Sequence, residues 1–390
     1  MTAATAPYPP IRAASARTRR RVRVLHVALD LEAGGLERLI VDLLNRVDPE
    51  RFESHVLLLQ HAGRHAAEVR DETKVHVSEP LSRWSMIRPH ALARTIGGIA
   101  PDVVHSHSGV WFKTSRAARL AGVTRIVHTD HGRLMPDPLG NRLSDGYAAR
   151  RTRLIVAVSD PLAEYMRRAL RLPQDKVRVV RNGVERMERA PEGGAAIRRE
   201  LGLAEGTLMI GSLGRLDHIK GYDILLEAYR RLRMADSSRP PPALVIAGDG
   251  PEAPRLRAMV AAMPRIVREG VHMLGWRTDV RELLSALDVF ALSSRSEGTS
   301  LSLLEAMSMG ICPVVTDVGG NADVVGYQLR HRLVATESPS LFARALVAAL
   351  HDADERARDA ERARARVAKT FSIEAMVQRY EQLYTELVLT

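Results

Sequence analysis

Two glutamates separated by seven residues carry the clearest chemical signal in the chain. Glu297 lies in a small polar loop, residues 293–300, that follows an apolar strand-like run, and Glu305 lies about one turn inside the apolar-periodic segment that comes next. Ser300 or Ser302 can cap such a helix, whose free amides and positive dipole end attract phosphate. Glu305 could then accept hydrogen bonds from a diol such as a ribose. Taken alone, both residues also fit an ordinary surface glutamate and an ordinary helical glutamate.

Basic and glycine-rich loops follow other predicted strands in the same half of the chain. Arg215 offers a planar fork and Lys220 a compact charge, a combination suited to the oxygens of a diphosphate. Gly248 lies in a turn that predicts a binding edge, and Trp276 with Arg277 could lie against a base. The alternatives are a surface loop with two cations and a half-buried packing tryptophan. The carboxyl ends of parallel strands meet at one edge of a sheet, so we expect these loops to converge.

The first half of the chain contributes a Gly-Gly turn and several histidines. Gly34 and Gly35 could bring backbone N–H groups toward the same phosphates. His105, His107 and His131 lie at the predicted ends of two strands and should open toward the same cleft, with His131 favoured for contact with a sugar. A lone histidine is usually structural, but three on one side of a sheet are less easily explained that way.

Strand-like runs alternate with helical segments along nearly the whole chain, which predicts an α/β fold with two doubly wound, Rossmann-like parallel-sheet domains facing a cleft. The pattern loosens between the halves, where proline and glycine cluster. The predicted organisation is a disordered basic arm over 1–21, a first α/β domain over 22–185, a linker over 186–206, a second α/β domain over 207–370 and a final helical segment over 371–390.

Composition limits the possible partners. The 390 residues carry a formal charge of +11, but the basic residues are nearly all arginine and aromatic residues are only 4%, which argues against nucleic acid. The single cysteine, Cys312, excludes an intramolecular disulfide framework and fits a reducing cytosol. No metal-ligand cluster is predicted, since Asp352 and Asp354 lie in a charged helical run. The arm over 1–21 suggests contact with an anionic membrane surface, although its composition also resembles a transit peptide.

Several sequence blocks carry a resemblance to a known family. They are GGLERL, DVVHSHSG, VAVSDPLAEYM, RNGVE, GRLDHIKGYDILLEAY, LVIAGDGPE, LGWRTDVRELLSALDVF and EGTSLSLLEAMSMG followed by PVVTDVGGNADVV. In that order they resemble the retaining glycosyltransferases of family 4, which have the GT-B fold. The resemblance covers nearly everything from Val22 to about Val325. The sequence departs from it at Asn321 to Asp323 and at Thr299 and Ser300, which leaves the sugar undetermined.

The resemblance implies a metal-independent, retaining hexosyltransferase that needs no cofactor and uses a nucleotide-diphosphate sugar as donor. It implies a saccharide or lipid-linked acceptor, a role in polysaccharide or glycolipid biosynthesis, and a cytoplasmic location, with peripheral contact at the inner membrane face. It also implies that the domain over 22–185 is the acceptor side, that the domain over 207–370 binds the nucleotide sugar, and that the helix over 371–390 crosses back to the first domain. The roles it implies are diphosphate binding by Arg215, Lys220, Gly35 and the amides of Gly298, Thr299 and Ser300, ribose binding by Glu305, donor-sugar binding by Glu297 and His131, and an acceptor side near His105 and His107. The alternatives are a nucleotide-sugar epimerase or sugar phosphorylase of the same architecture and a non-catalytic nucleotide-sugar-binding scaffold at a membrane.

Overall fold

The strands of the chain form two separate parallel sheets. The computed structural model describes residues 20–32, 34–78, 89–132, 139–235 and 240–389. Within these ranges the strands are β1 (Val22–Ala28), β2 (Phe52–Leu58), β3 (Val75–Val77), β4 (Val103–His107), β5 (Ile126–Asp130), β6 (Leu154–Ala157), β7 (Val177–Val179), β8 (Met209–Leu213), β9 (Ala243–Ala247), β10 (Val271–Gly275), β11 (Val289–Leu292), β12 (Cys312–Thr316) and β13 (Leu333–Val334).

Helices connect the strands and cover both faces of the sheets, as parallel pairing requires. They are α1 (Gly35–Arg46), α2 (His90–Ile99), α3 (Trp111–Leu120), α4 (Leu139–Arg151), α5 (Asp160–Leu170), α6 (Pro191–Glu200), α7 (Tyr222–Ala235), α8 (Ala253–Ala261), α9 (Arg265–Arg268), α10 (Val280–Ser285), α11 (Leu301–Ser308), α12 (Asn321–Val325), α13 (Pro339–His351), α14 (Ala353–Thr370) and α15 (Ile373–Leu389). Among the described residues, none of these helices is both long and apolar enough to cross a membrane.

Both sheets have a doubly wound strand order. The first runs β3-β2-β1-β4-β5-β6-β7 and the second β10-β9-β8-β11-β12-β13, with every described pair parallel. The order reverses between β1 and β4 in one sheet and between β8 and β11 in the other. Ligands of such sheets bind beyond the carboxyl ends of the strands at these reversals. The prediction of two Rossmann-like parallel-sheet domains is confirmed.

Apolar cores lie on both faces of each sheet. In the second sheet, Phe290 packs into a core with α10 and α11, whereas the neighbouring Val289 packs into the opposite core with α7 and α13. This alternation follows from the two-residue period of a strand. Since strands buried on both faces are almost continuously apolar, the sequence could reveal them.

Two chain segments cross between the sheets side by side. The amide of Val184 donates to the carbonyl of Phe371 at 2.9 Å, and the amide of Ile373 donates back to Val184 at 3.2 Å. Beyond this crossing, α15 packs its apolar side chains onto the first sheet, beside Val24, Val103 and other strand residues. The stretch 186–206, predicted as a linker, contains α6, which packs against α10 of the second domain. Of the predicted arm, residues 1–19 lie outside the described residues.

Candidate active site

The loop between β11 and α11 brings the first glutamate to a lysine. Glu297 Oε1 accepts hydrogen bonds from Lys220 Nζ at 2.7 Å and from Ser294 Oγ at 2.6 Å, and its side chain is 6% exposed. Ser300 caps α11 by accepting the amide of Leu303 at 3.3 Å, as the serine pattern predicted. The lysine and the glutamate thus lie together beside the N-terminus of α11, where a diphosphate and a sugar hydroxyl would find complementary charge.

Glu305 lies within α11 and faces the other domain. Its carboxylate has no hydrogen bond or ion pair with any described residue, and the side chain is half-buried. Burial raises the pKa of this carboxyl to about 7, while Arg38 of α1 lowers it and Asp42 of α1 raises it. Even a half-buried carboxylate without partners is unusual, because covering an unpaired charge costs free energy. It is suited to accept hydrogen bonds from a ligand between the domains.

The Gly-Gly turn of the first domain meets the same helix end. A Cβ at Gly35 would come within 3.2 Å of the Leu301 side chain, so α1 and α11 begin close together. Arg215 is 64% exposed, and its nearest described acid is Asp217 at 3.8 Å. Burial raises the pKa of Glu37 in the first turn of α1, and the charge of Arg215 lowers it in part, which places this guanidinium opposite α1. The N-termini of α1 and α11 therefore lie together, with Arg215 near enough to the first turn of α1 to affect Glu37.

The domains touch through glycine backbones beside His131. A Cβ at Gly298 would lie 1.9 Å from the carbonyl oxygen of His131, and one at Gly132 would lie 3.1 Å from the amide nitrogen of Gly298. Thr299 extends the contact, since its Oγ1 donates to the Val158 carbonyl at 3.0 Å. His131 Nε2 is 3.1 Å from His107 Nδ1, and its own Nδ1 is buried without a partner among the described residues. The structure thus holds this histidine beside the loop that carries Glu297.

The other predicted site residues of the second domain are Gly248, Trp276 and Arg277. A Cβ at Gly248 would lie 1.9 Å from the carbonyl oxygen of Gly214, so the loops after β8 and β9 are in contact. Trp276 is 43% exposed, and the guanidinium carbon of Arg64 from the first domain lies 5.4 Å from its ring centre. Arg277 does not join the predicted base-binding residues, because its guanidinium donates to Glu200 and Asp279 at 2.7 and 2.6 Å. These two carboxylates raise its pKa and tie it to the protein.

The structure does not bring His105 to the cleft. It lies inside β4 rather than after it, is fully buried, and bonds Tyr384 Oη and Thr129 Oγ1 at 2.7 Å each. His107, two residues further along the same strand, instead lies 3.1 Å from both His26 and His131. Sequence reasoning missed His26 because only the pairing of β1 with β4 places it beside His105.

Three of these buried imidazoles form a group that could hold a metal ion, which the sequence analysis did not expect. One ring nitrogen from each of His26, His105 and His107 lies within 4.8 Å of the others. However, most of their nitrogens already bond to one another, to Tyr384 or to Thr129. A metal ion would have to replace these bonds. The Asp352 carboxylate, by contrast, accepts the Glu355 amide at 2.7 Å as the cap of α14.

Comparison with known proteins identifies the family. Residues 33–187 match the family described as Glycosyltransferase Family 4, and residues 195–366 match Glycosyl transferases group 1. The chain is 26% identical over 386 residues to UDP-Gal:alpha-D-GlcNAc-diphosphoundecaprenol alpha-1,3-galactosyltransferase of Escherichia coli, covering 95% of this chain and 99% of that one. It is 24% identical to N-acetyl-alpha-D-glucosaminyl L-malate synthase of Bacillus anthracis, covering 74% and 75%.

Solved structures share the whole architecture. Anabaena Alr3699/HepE, crystallised with UDP and glucose, superposes with a TM-score of 0.82 at 20% identity, covering 94% of this chain and 100% of that one. WaaG, a glycosyltransferase involved in lipopolysaccharide biosynthesis, gives a TM-score of 0.72 at 18% identity, covering 93% and 99%. Both halves match in order on the same two-sheet scaffold, so this chain belongs to glycosyltransferase family 4 and is a glycosyltransferase with the GT-B fold.

Proposed function

We propose that this chain is a retaining glycosyltransferase that moves a hexosyl group from a nucleotide-diphosphate sugar to a saccharide or lipid-linked acceptor, without a metal ion. The observation that carries the proposal is that Lys220, from the loop after β8, meets Glu297 beside α11, the helix that carries Glu305 and begins against the Gly34-Gly35 turn. A UDP-sugar is the donor to test first, because the Escherichia coli relative is named for UDP-Gal and the Anabaena structure contains UDP.

In this proposal the positive charge around the cleft stabilises the leaving nucleoside diphosphate. Arg215, Lys220 and the amides of Gly35 and Gly298 would surround the phosphates, where negative charge grows as the sugar departs. Glu305 would accept hydrogen bonds from the ribose. Since these groups supply charge without a metal ion, we expect transfer to persist in a chelator.

The reacting sugar would lie between Glu297 and His131. The bond from the anomeric carbon to the diphosphate oxygen breaks, and a bond to the acceptor oxygen forms on the same face of the sugar. The acceptor's proton passes to an oxygen of the departing diphosphate, so a protein base is not required. Glu297, held by Lys220 at 2.7 Å, would accept hydrogen bonds from sugar hydroxyls and fix the ring in position.

Calorimetric binding of UDP-, GDP- and ADP-sugars in EDTA tests the donor site. We expect one nucleotide class to bind, with affinity lost in Lys220→Ala and Glu305→Ala. The matched controls are Lys369→Ala, an exposed lysine at the end of α14, and Glu269→Ala, an exposed glutamate. If no nucleotide sugar binds, the assignment of the donor site is wrong. Turnover of the bound sugar without an acceptor would indicate an epimerase instead.

The acceptor and the stereochemistry need separate measurements. Incubation with short saccharides and with polyprenyl-diphosphate sugars should yield a glycoside with the donor's anomeric configuration, read by proton NMR of the product. An inverted linkage, or activity that EDTA removes and magnesium restores, would refute the retaining, metal-independent mechanism. A lipid-linked acceptor would place the enzyme at the cytoplasmic face of a membrane. Deleting residues 1–21 should then reduce binding to anionic vesicles but not to neutral ones.

A further inference from the structure

One arginine of the first domain binds carboxylates of both domains. Arg181, which follows β7, donates from Nε to Asp323 Oδ2 at 2.6 Å, and Asp323 lies in α12 of the second domain. Its Nη2 donates to Asp323 Oδ1 at 3.3 Å and to Asp160 Oδ2, at the start of α5 in its own domain, at 2.5 Å. The guanidinium therefore joins α12 to α5 across the interface between the domains.

The pair of Arg181 with Asp323 is partly shielded from water. Both side chains are 24% exposed, whereas that of Asp160 is 64% exposed. Burial lowers the pKa of the Arg181 guanidinium, but the two carboxylates outweigh this effect and raise the pKa above its ordinary value. Because exposed ion pairs contribute little, the bidentate bond to Asp323 is the contact that fixes the position of α12.

The next residue along the chain contacts the loop over 297–300, here called the donor loop. Asn182 is buried, and its Nδ2 donates to the carbonyl of Thr299 at 3.4 Å. The Oγ1 of Thr299 donates in turn to the carbonyl of Val158 in the first domain at 3.0 Å. Two consecutive residues of the first domain thus hold α12 and the loop that carries Glu297.

Glycine backbones pack α12 tightly against the donor loop. Gly319 and Gly320 come just before α12, and a Cβ at Gly319 would lie 1.7 Å from the carbonyl oxygen of Glu297. A Cβ at Gly320 would lie 2.1 Å from the carbonyl oxygen of Gly298 and 3.2 Å from Cβ of Ser159 in the first domain. Since closely packed groups transmit strain, a shift of α12 would displace the backbone of the donor loop.

We propose that Arg181 and Asn182 are positioning residues through which the first domain sets the donor loop, Arg181 by way of α12 and Asn182 by way of Thr299. The donor sugar is then held in its reactive position only while the first domain contacts the loop. The part about the sugar rests on the proposed function, whereas the hold on the loop is a property of the free protein.

The proposal distinguishes the sugar from the nucleotide. Arg215, Lys220 and Glu305 all belong to the second domain and do not need the donor loop to be held from outside. Binding of UDP, which has no sugar beyond its diphosphate, should therefore depend little on Arg181 and Asn182. Transfer of the sugar should depend on them strongly.

Hydrogen–deuterium exchange of the free protein, read by mass spectrometry, tests the hold on the loop. In Arg181→Met and in Asn182→Leu, the buried amides of residues 298–300 should exchange at least about tenfold faster than in the wild-type protein. The matched control is Arg178→Met, because this arginine of β7 donates to Glu386 of α15 at 2.7 Å and not to the second domain. Unchanged exchange over 298–300 in either test variant would overturn the proposal.

A double-mutant cycle separates action through α12 from a general weakening of the interface. Asp323→Asn removes the charge that Arg181 binds and should accelerate exchange of the donor loop by itself. In an Asp323→Asn background, Arg181→Met should add little further acceleration. Equal accelerations by Arg181→Met in both backgrounds would refute the coupling through α12.

Kinetics with a sugar donor measure the consequence for the reaction. Arg181→Met should lower kcat about tenfold, because small misplacements of reacting groups slow a reaction severely, while the Kd for UDP changes by less than about twofold. Parallel losses of UDP affinity and of kcat would show that Arg181 stabilises the whole site, and would overturn the proposal. The exchange measurements require no sugar donor. If no nucleotide sugar binds to the wild-type protein, the assignment of the donor site is wrong, while the exchange rates still decide whether Arg181 and Asn182 hold the loop.

Discussion

Replacing Glu305 by glutamine should stabilise the free protein at pH 8 while weakening its binding of a nucleotide. The reason is the environment of the carboxyl group, which lies half-buried with no partner among the described residues and has a pKa of about 7 instead of 4.5. Glutamine has almost the same shape but no charge. The substitution therefore removes the cost of holding an ionised carboxylate at this position.

The sign and size of the effect follow from linkage. Because the pKa of Glu305 is raised in the folded state, the stability that comes from its protonated carboxyl is fully present below pH 4.5 and is lost as the pH rises through 7. At pH 8 the ionised carboxylate costs up to about 3 kcal/mol relative to the unfolded chain, and at pH 5 about 1 kcal/mol. Glu305→Gln should therefore raise Tm by up to about 6 to 12 °C at pH 8, at about 2 to 4 °C per kcal/mol, and by only about 2 to 4 °C at pH 5.

Thermal unfolding of both proteins at the two pH values measures this difference, and other titrating groups cancel because they are common to both. Glu269→Gln, at an exposed glutamate, should change Tm little at either pH. In calorimetry, Glu305→Gln should bind UDP about tenfold or more weakly at pH 8 because it loses a charged acceptor. An equal or lower Tm of Glu305→Gln at pH 8, or unchanged UDP affinity, would refute the reasoning.

Three further predictions concern the first domain and the cleft. Lowering the pH from 7 to 5 should cost about 2 kcal/mol of unfolding free energy for each buried neutral histidine, because a pKa lowered in the folded state gives stability above pH 6.5 that is lost as the pH falls toward 3. In urea unfolding, the stability of His26→Phe should therefore depend less on pH than that of the wild-type protein, and an equal dependence on pH would contradict this. Gly298→Ala should reduce the rate of sugar transfer at least about tenfold, because the new methyl group meets the carbonyl of His131, whereas Gly97→Ala, in open space on α2, should not. Equal rates of the two variants would show that the contact between Gly298 and His131 is not needed for transfer. Trp276→Ala should weaken nucleotide binding about tenfold with stability changed by less than about 0.5 kcal/mol, and unchanged affinity in calorimetry would exclude the exposed indole from the base site.

The fold and the second-domain site were the most predictable parts of the chain. Buried parallel strands are almost continuously apolar, and each is followed by a polar or glycine-rich loop, so strand ends and their chemistry could be located together. The contact between Lys220 and Glu297 required only that the loops after β8 and β11 meet, which the doubly wound order ensures. Local pattern and general topology were sufficient here.

The contacts of the histidines and the pairing of Arg277 with acidic residues could not be predicted in the same way. Both depend on side-chain positions that are set by residues far apart in the sequence. His105 and His107 differ by two residues, yet one contacts α15 and the other His131. Arg277 looked available until the fold brought Glu200 beside it. The free carboxyl of Glu305 was predicted as a ligand, but its raised pKa depends on burial against α1.

The packing of α15 onto the first sheet affects how the protein can be made and recombined. This helix contains the last described residues of the chain, yet Met376, Tyr380 and Leu383 complete a core begun by β1 and β4. During synthesis the first domain therefore keeps an apolar face uncovered until the whole second domain has been translated, although amino-terminal domains usually fold first. A chimera that exchanges sugar-donor domains between relatives would need to keep the native segment 373–389 with its own first domain.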